Sequence, residues 1–130
     1  MAVARDLKGV LKAVAEIGGS RGFEVSYDEA EGRVVVKSRE CPVELIVEPL
    51  DSGYRVELRA MEGLRDCIED LLDEDIDPRD ELENIVESLV SIADFAVRRL
   101  EGLGYTVRKS TRQGILDVYD AIESFLEEEE

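Results

Sequence analysis

Between residues 23 and 60, apolar and polar residues alternate in four short runs separated by turn sequences. Alternation with a period of two is typical of half-buried β-strands, because successive side chains point to opposite faces of a sheet. The connections at 29–32, 39–42 and 51–52 are short and contain residues that favour turns. The pattern therefore predicts a four-stranded antiparallel meander over about residues 23–60.

One pairing of these strands places the apolar residues on a common face. It pairs Tyr27 with Val34, Val25 with Val36, Val36 with Leu45, Val34 with Val47, Val47 with Val56, and Leu45 with Leu58. In the same register the other face carries two charged rows that alternate in sign: Asp28–Arg33–Glu48–Arg55 and Glu24–Lys37–Glu44–Arg59. A slip of one residue would turn the apolar set toward water, so this register is strongly specified.

Exposed cross-strand ion pairs contribute only ~0.2–1 kcal/mol each, so the charged rows define the register more than they stabilise it. We interpret this face as a solvated surface of mutually paired charges. Val35 and Ile46 form an apolar pair within it and are a candidate interface.

Helical periodicity flanks the predicted sheet, with apolar residues recurring at intervals of three and four over residues 3–17, 61–72, 78–101 and 115–126. Gly18 and Gly19 are expected to end the first helix. Asp77 and Pro78 have the residue types preferred at an N-cap and at the first helical position. These patterns predict four helices.

The predicted fold class is α+β, a single domain with the order α-β-β-β-β-α-α-(β)-α and helices packed on one face of the meander. The bracketed element is a short fifth strand at 105–109. The acidic residues 127–130 are expected to form a frayed tail.

The formal net charge of -16 disfavours direct binding to nucleic acid or to an anionic membrane, and it favours a basic protein partner. The chain shows no run of about 20 apolar residues and no signal-peptide core, which predicts a cytoplasmic protein outside the membrane. Few thermolabile amides, one Asn and one Gln, indicate a thermophilic source.

The absence of histidine removes the commonest general base and a common metal ligand, so the composition favours a protein without catalytic residues, metal or cofactor. Cys41 and Cys67 lack CxxC spacing and are predicted to be reduced, structural thiols. The least favoured hypothesis is an enzyme that uses carboxylates or Cys67.

Two stretches resemble known binding motifs but lack residues that those motifs require. The run from Asp73 resembles the opening of a calcium loop, but Pro78 stands where that loop needs Gly and Asn84 where it needs Glu. A nucleotide-binding P-loop ending at residues 109–110 would need Gly at the positions of Leu103 and Arg108.

A basic cluster does stand out, at the junction between the fifth strand and the last helix. Its residues are Arg108, Lys109, Ser110, Thr111 and Arg112, a candidate site for small anions.

Phe95 falls on the polar side of the third helix, beside Ser88 and Ser91. Either the last helix or a second subunit is expected to cover it. We therefore predict a small acidic protein-interaction module, homodimeric and non-catalytic, with Phe95, Ser88 and Ser91 at an interface. The alternatives are a regulatory domain that binds a small anion or metabolite, and an enzyme of unrecognised type.

Overall fold

The computed structural model describes residues 2–129, and the side chains of residues 7–127. Over these residues the chain forms, in order, α1 (Ala2–Ser20), β1 (Glu24–Asp28), β2 (Arg33–Lys37), β3 (Val43–Leu50), β4 (Gly53–Ala60), α2 (Leu64–Asp73), α3 (Pro78–Gly102), β5 (Val107–Ser110) and α4 (Arg112–Glu129). The predicted α+β class and element order are confirmed. None of the described helices combines the length and apolar character needed to cross a membrane.

The predicted meander and its register are confirmed. The strands lie in the order β1-β2-β3-β4-β5, and the first four are antiparallel. Every pairing predicted for the apolar face is present, including Val36 with Leu45 and Val47 with Val56. The apolar face is buried against the helices, whereas the charged face points away from them.

On the charged face, Glu48 is the centre of an ion-pair row. Its carboxylate accepts from Nε of Arg55 at 3.0 Å and lies 3.4 Å from Nε of Arg33. In the second row the register places Glu44 opposite Arg59, as predicted, but the Arg59 guanidinium contacts the carboxylate of Glu57. The first row therefore forms ion pairs across β2, β3 and β4, whereas Arg59 pairs along its own strand.

The fifth strand lies at Val107–Ser110 and runs parallel to β4, with Tyr54 opposite Val107. It is parallel because the chain returns to the sheet through the α2–α3 crossover, which brings it back to the starting end of β4. It covers only part of β4. Beyond it, α4 packs against the rest of that strand.

The helices form one layer over the apolar face, with α1 on β1 and β2 and α3 on β3 and β4. Helix α1 continues through Gly18 and Gly19 to Ser20 instead of ending there. Gly18 is buried, and a Cβ on it would lie 2.9 Å from a methyl group of Val36, so its role is close packing on β2. Helix α3 begins as predicted, with the Asp77 side chain accepting from the Arg79 N–H at 2.9 Å.

The prediction of two reduced cysteines is wrong, because Cys41 and Cys67 form a disulfide with their Cα atoms 5.6 Å apart. The Met61 N–H donates to the carbonyl of Pro42 at 2.8 Å, which holds the start of α2 near the β2–β3 turn. A crosslink that closes a loop of 26 residues stabilises the fold by about 3–4 kcal/mol in the chain-entropy account.

The contact between α4 and β4 yields a stability prediction. A Cβ at Gly114 would lie 2.1 Å from the Leu58 carbonyl oxygen. We expect Gly114→Ala to lower the free energy of unfolding by about 1–3 kcal/mol, because α4 would have to shift away from the backbone of β4 to make room for the methyl group. Gly9→Ala is the matched control in α1, since a Cβ there meets nothing within 4 Å, and it should stabilise by about 0.5–1 kcal/mol. Urea unfolding of both variants measures this, and equal stabilities would contradict the packing.

Candidate functional site

A largely apolar groove lies between α1 and α3, and we call it the α1–α3 groove. Its volume is about 530 Å³, and it is lined by Gly9, Val10, Ala13, Phe95, Arg98, Arg99, Gly102 and Leu103. The α1 side consists of small residues, so the two helices leave room between their outer surfaces. A groove of this kind suits an apolar side chain of a partner better than a polar solute.

Phe95 lies in this groove, half-buried and packed against the core. The groove places Phe95 beside α1, whereas the predicted cover was α4 or a second subunit. The Arg99 guanidinium carbon lies 5.2 Å from the centroid of the Phe95 ring. This cation–π contact favours one orientation of the ring. Phe95 is thus a partly exposed aromatic with a defined orientation.

The charge of the α1–α3 groove is opposite in sign to that of the whole chain. The chain has a formal net charge of -16, yet both charged residues that line the groove are arginines, Arg98 and Arg99. Lys12 is exposed on α1 beside Ala13. A local patch of opposite charge attracts a complementary ligand at short range even when the net charge repels it.

Ser88 and Ser91 are on the same side of α3 as Phe95 but are not among the residues that line the α1–α3 groove. The Ser88 carbonyl accepts from the Arg21 guanidinium at 3.2 Å, which ties α3 to the end of α1. Ser91 lines a second groove, between α3 and α4, of about 480 Å³. In that groove burial raises the pKa of the Tyr119 hydroxyl. Arg98 borders both grooves.

Val35 and Ile46 lie opposite each other on the charged face, as predicted. Ile46 is fully buried there, with 0% of its surface exposed, and Val35 is half-buried. Glu57 lies opposite Ile46 on the other neighbouring strand. The pair therefore leaves little apolar surface for a partner.

The basic cluster at 108–112 is spread over two faces of the sheet. Lys109 pairs with Asp94 of α3 at 2.7 Å, and Thr111 is buried. Arg108 lies on the charged face, opposite Arg55 in the register. Among the described residues, no carboxylate forms an ion pair with Arg108.

A second candidate lies at the disulfide, and we call it the acidic cleft. Its volume is about 520 Å³, and it is lined by Glu40, Pro42, Gly63, Asp66, Cys67, Asp70, Leu71, Glu74, Ile76 and Glu81. This cleft was not predicted from the sequence, although the spacing of Asp66, Asp70 and Glu74 by four residues indicates one acidic helix face. Within the described part of the chain, no group of three or more His, Cys, Asp or Glu is arranged to hold a metal ion.

Two carboxyl groups meet in the acidic cleft. A hydrogen bond with the Glu40 carboxylate raises the pKa of Glu81, and partial desolvation and the charge of Glu40 raise it further. Glu81 therefore retains its proton at a higher pH than an ordinary glutamate does.

Comparison of the chain with protein-family models, with curated proteins and with solved structures found no match in any of the three.

The Glu40–Glu81 contact predicts a pH dependence of stability. Because the pKa of Glu81 is raised in the folded state above its usual value of 4.5, the contact stabilises the fold below that pH. This contribution is lost as the pH rises through the raised pKa. Glu81→Gln keeps a hydrogen-bond donor without the second charge, so it should raise Tm at about pH 7 and leave it nearly unchanged at about pH 4.

The control is Glu83→Gln, at an exposed position of the same helix. Thermal unfolding at both pH values measures the effect. An equal change in Tm for the two variants at neutral pH would contradict the assigned contact.

Proposed function

We propose that this protein is a small, acidic, non-catalytic interaction module whose α1–α3 groove binds an amphipathic segment of another protein. The observation that carries this proposal is the half-buried Phe95 in an apolar groove bordered by two arginines. An aromatic ring held in a fixed orientation at the centre of a groove is typical of an interface anchor.

The shape of the groove favours a helical partner. It runs between two packed helices, and its α1 side offers Gly9 and Ala13, over which a third helix can approach closely. Helices that bind in such grooves insert apolar residues spaced by three and four positions. We infer that the partner segment presents an apolar stripe of this kind.

The charge of the groove favours carboxylates on the partner. Arg98 and Arg99 can each bind a carboxylate with two parallel hydrogen bonds. The net charge of the chain predicted a basic partner, but the local charge at this surface supports an acidic binding segment instead. We propose an amphipathic helix with apolar anchors flanked by Asp or Glu.

The lining of the groove supports binding without chemistry. Its ionisable side chains are arginines, which stay protonated in proteins and do not act as general bases. None of its other lining residues has a nucleophilic side chain.

The homodimer predicted from the sequence is not favoured at this groove. A symmetric dimer formed groove to groove would bring Arg98 and Arg99 toward their own copies, and opposed like charges weaken an interface. We therefore propose a different protein as the occupant. A homodimer through another surface stays a prediction that light scattering tests.

We propose a cytoplasmic location in a thermophilic source. Cytoplasmic disulfides are rare in mesophiles but common in hyperthermophiles, so within a cytoplasmic location the Cys41–Cys67 bond, like the low content of amide residues, supports a thermophilic source.

Three helical peptides with one apolar face and different polar faces test the groove. The polar faces carry glutamate, glutamine or lysine, and fluorescence anisotropy measures binding. We expect the glutamate peptide to bind at least about tenfold more tightly than the lysine peptide at low salt, with the difference shrinking at high salt.

A groove-filling variant locates the site. Gly9→Leu places a large side chain in open space within the groove, so it should weaken binding at least about tenfold without loss of stability. Gly19→Leu is the matched control, since Gly19 also lies in α1 with nothing within 4 Å but does not line the groove. Binding that is equal for both variants, or preference for the lysine peptide, would contradict the proposal.

A second candidate function, binding of a small anion, is favoured by one observation. Arg108 lies beside Arg55 and has no ion-pair partner among the described residues. It also borders a shallow depression with Ser52 and Thr106, whose hydroxyls can donate to an anion.

Thermal shift with phosphate, pyrophosphate and citrate at millimolar concentration tests this candidate. We expect a rise in Tm that Arg108→Gln removes and Arg112→Gln retains, because the two residues lie on different elements. The same shift in both variants, or no shift with any of the three anions, would contradict an anion site at Arg108.

A further inference from the structure

The two cysteines of the disulfide differ in exposure. Cys41 is 1% exposed, whereas Cys67 is 9% exposed and borders the acidic cleft. A thiolate that attacks a disulfide must approach one sulfur directly, so access decides which sulfur it can reach. Cys67 is the more exposed of the two cysteines and the one that lines a cleft, so we expect a thiolate to approach from its side.

The approach to Cys67 is strongly negative. The cleft carries the carboxyl groups of Glu40, Asp66, Asp70, Glu74 and Glu81, and no lysine or arginine is among its lining residues. Asp66 directly precedes Cys67, and Asp70 lies one helical turn after it. Each of these charges repels an anion at the mouth of the cleft and attracts a cation.

We propose that Sγ of Cys67 is a thiol-exchange site that accepts cationic thiols and resists anionic ones. Its reactant is a low-molecular-weight thiol, or a protein thiol within a basic surface. Acidic thiols such as glutathione are disfavoured because they carry net negative charge into the cleft.

The exchange proceeds in two balanced steps. The thiolate attacks Sγ of Cys67, a mixed disulfide forms there, and the Cys41–Cys67 bond breaks with its electron pair on Sγ of Cys41, which takes a proton from water. A second thiolate then attacks the sulfur of the bound small thiol, which releases Cys67 as a thiolate that is protonated. Two thiols are oxidised to one small disulfide, and the two cysteines are reduced.

The surroundings also suit the reduced state. Sγ of Cys67 lies 3.1 Å from the carbonyl oxygen of Glu40, an acceptor to which the Cys67 thiol can donate once it is formed. Opening the bond removes the covalent link between the β2–β3 turn and α2 and leaves the hydrogen bond from Met61 to Pro42, so exchange couples the redox state of the surroundings to the strength of that attachment.

Three thiols of similar size and different charge test the proposal: cysteamine, 2-mercaptoethanol and 2-mercaptoethanesulfonate. The rate of protein reduction is measured by alkylation and mass spectrometry. Each rate is corrected for the fraction of the thiol that is ionised. It is then divided by the rate at which the same thiol reduces a neutral small disulfide, which removes differences in intrinsic reactivity. We expect cysteamine to exceed the sulfonate by at least about tenfold at low ionic strength, and the ratio to fall toward one at about 1 M salt.

Two double variants separate the effect of the charge in the cleft from the effect of the net charge of the protein. Asp66→Asn with Asp70→Asn should lower the cysteamine-to-sulfonate ratio at least about threefold. Asp120→Asn with Glu123→Gln changes the net charge equally at exposed positions of α4 and should leave the ratio unchanged. The transient mixed disulfide should be found on Cys67.

Several results would overturn the proposal: equal normalised rates for the three thiols, equal ratios in the two double variants, a mixed disulfide on Cys41, or two free thiols in the air-oxidised protein. A ratio that depends on the cleft variant, with the adduct on Cys67, supports it. Neither outcome depends on whether the α1–α3 groove binds a partner.

Discussion

Side chains that stand opposite each other on antiparallel strands lie about 5 Å apart, so a sheet with one buried face tolerates a single register. In this protein the register places Val34, Val36, Leu45 and Val47 inward, and all four are fully buried. The helices pack on that apolar surface. The positions of α1 and α3, and hence the groove between them, depend on which strand residues point toward them.

The same register leaves the central strands of the charged face little to offer a ligand. Glu48 is contacted by arginines on both neighbouring strands, and Ile46 is buried between the charged rows. Charges that already have partners offer little to a ligand, because binding must first replace those contacts. The helix layer instead exposes part of an aromatic ring, with Arg98 and Arg99 beside it. The sheet therefore supports the helices, whereas the helix layer carries the proposed binding surface for a partner.

The features that the sequence predicted are local or periodic. The strand register follows from alternation along the chain, and the Asp77 cap follows from two adjacent residues. The partner of Cys41 is 26 residues away and is brought close by the packing of α2 and by the hydrogen bond between Met61 and Pro42. No spacing along the chain shows that proximity.

The candidate site was predicted only in part for the same reason. A helical wheel shows that Phe95 leaves the main apolar stripe, but it does not show which helix lies beside that flank. The neighbour, α1, is more than 70 residues earlier in the chain. Gly114 gives no sequence signal of its contact with Leu58, because a close backbone approach depends on how α4 meets β4.

The most direct test of the division between support and recognition is backbone chemical-shift mapping with an amphipathic peptide whose polar face is acidic. We expect the perturbed amides to cluster at Gly9, Ala13, Phe95 and Arg98, with the strand amides of β2 and β3 unchanged. Perturbations centred on Val35, Glu48 and Arg55 would contradict it, because they would place recognition on the charged face of the sheet.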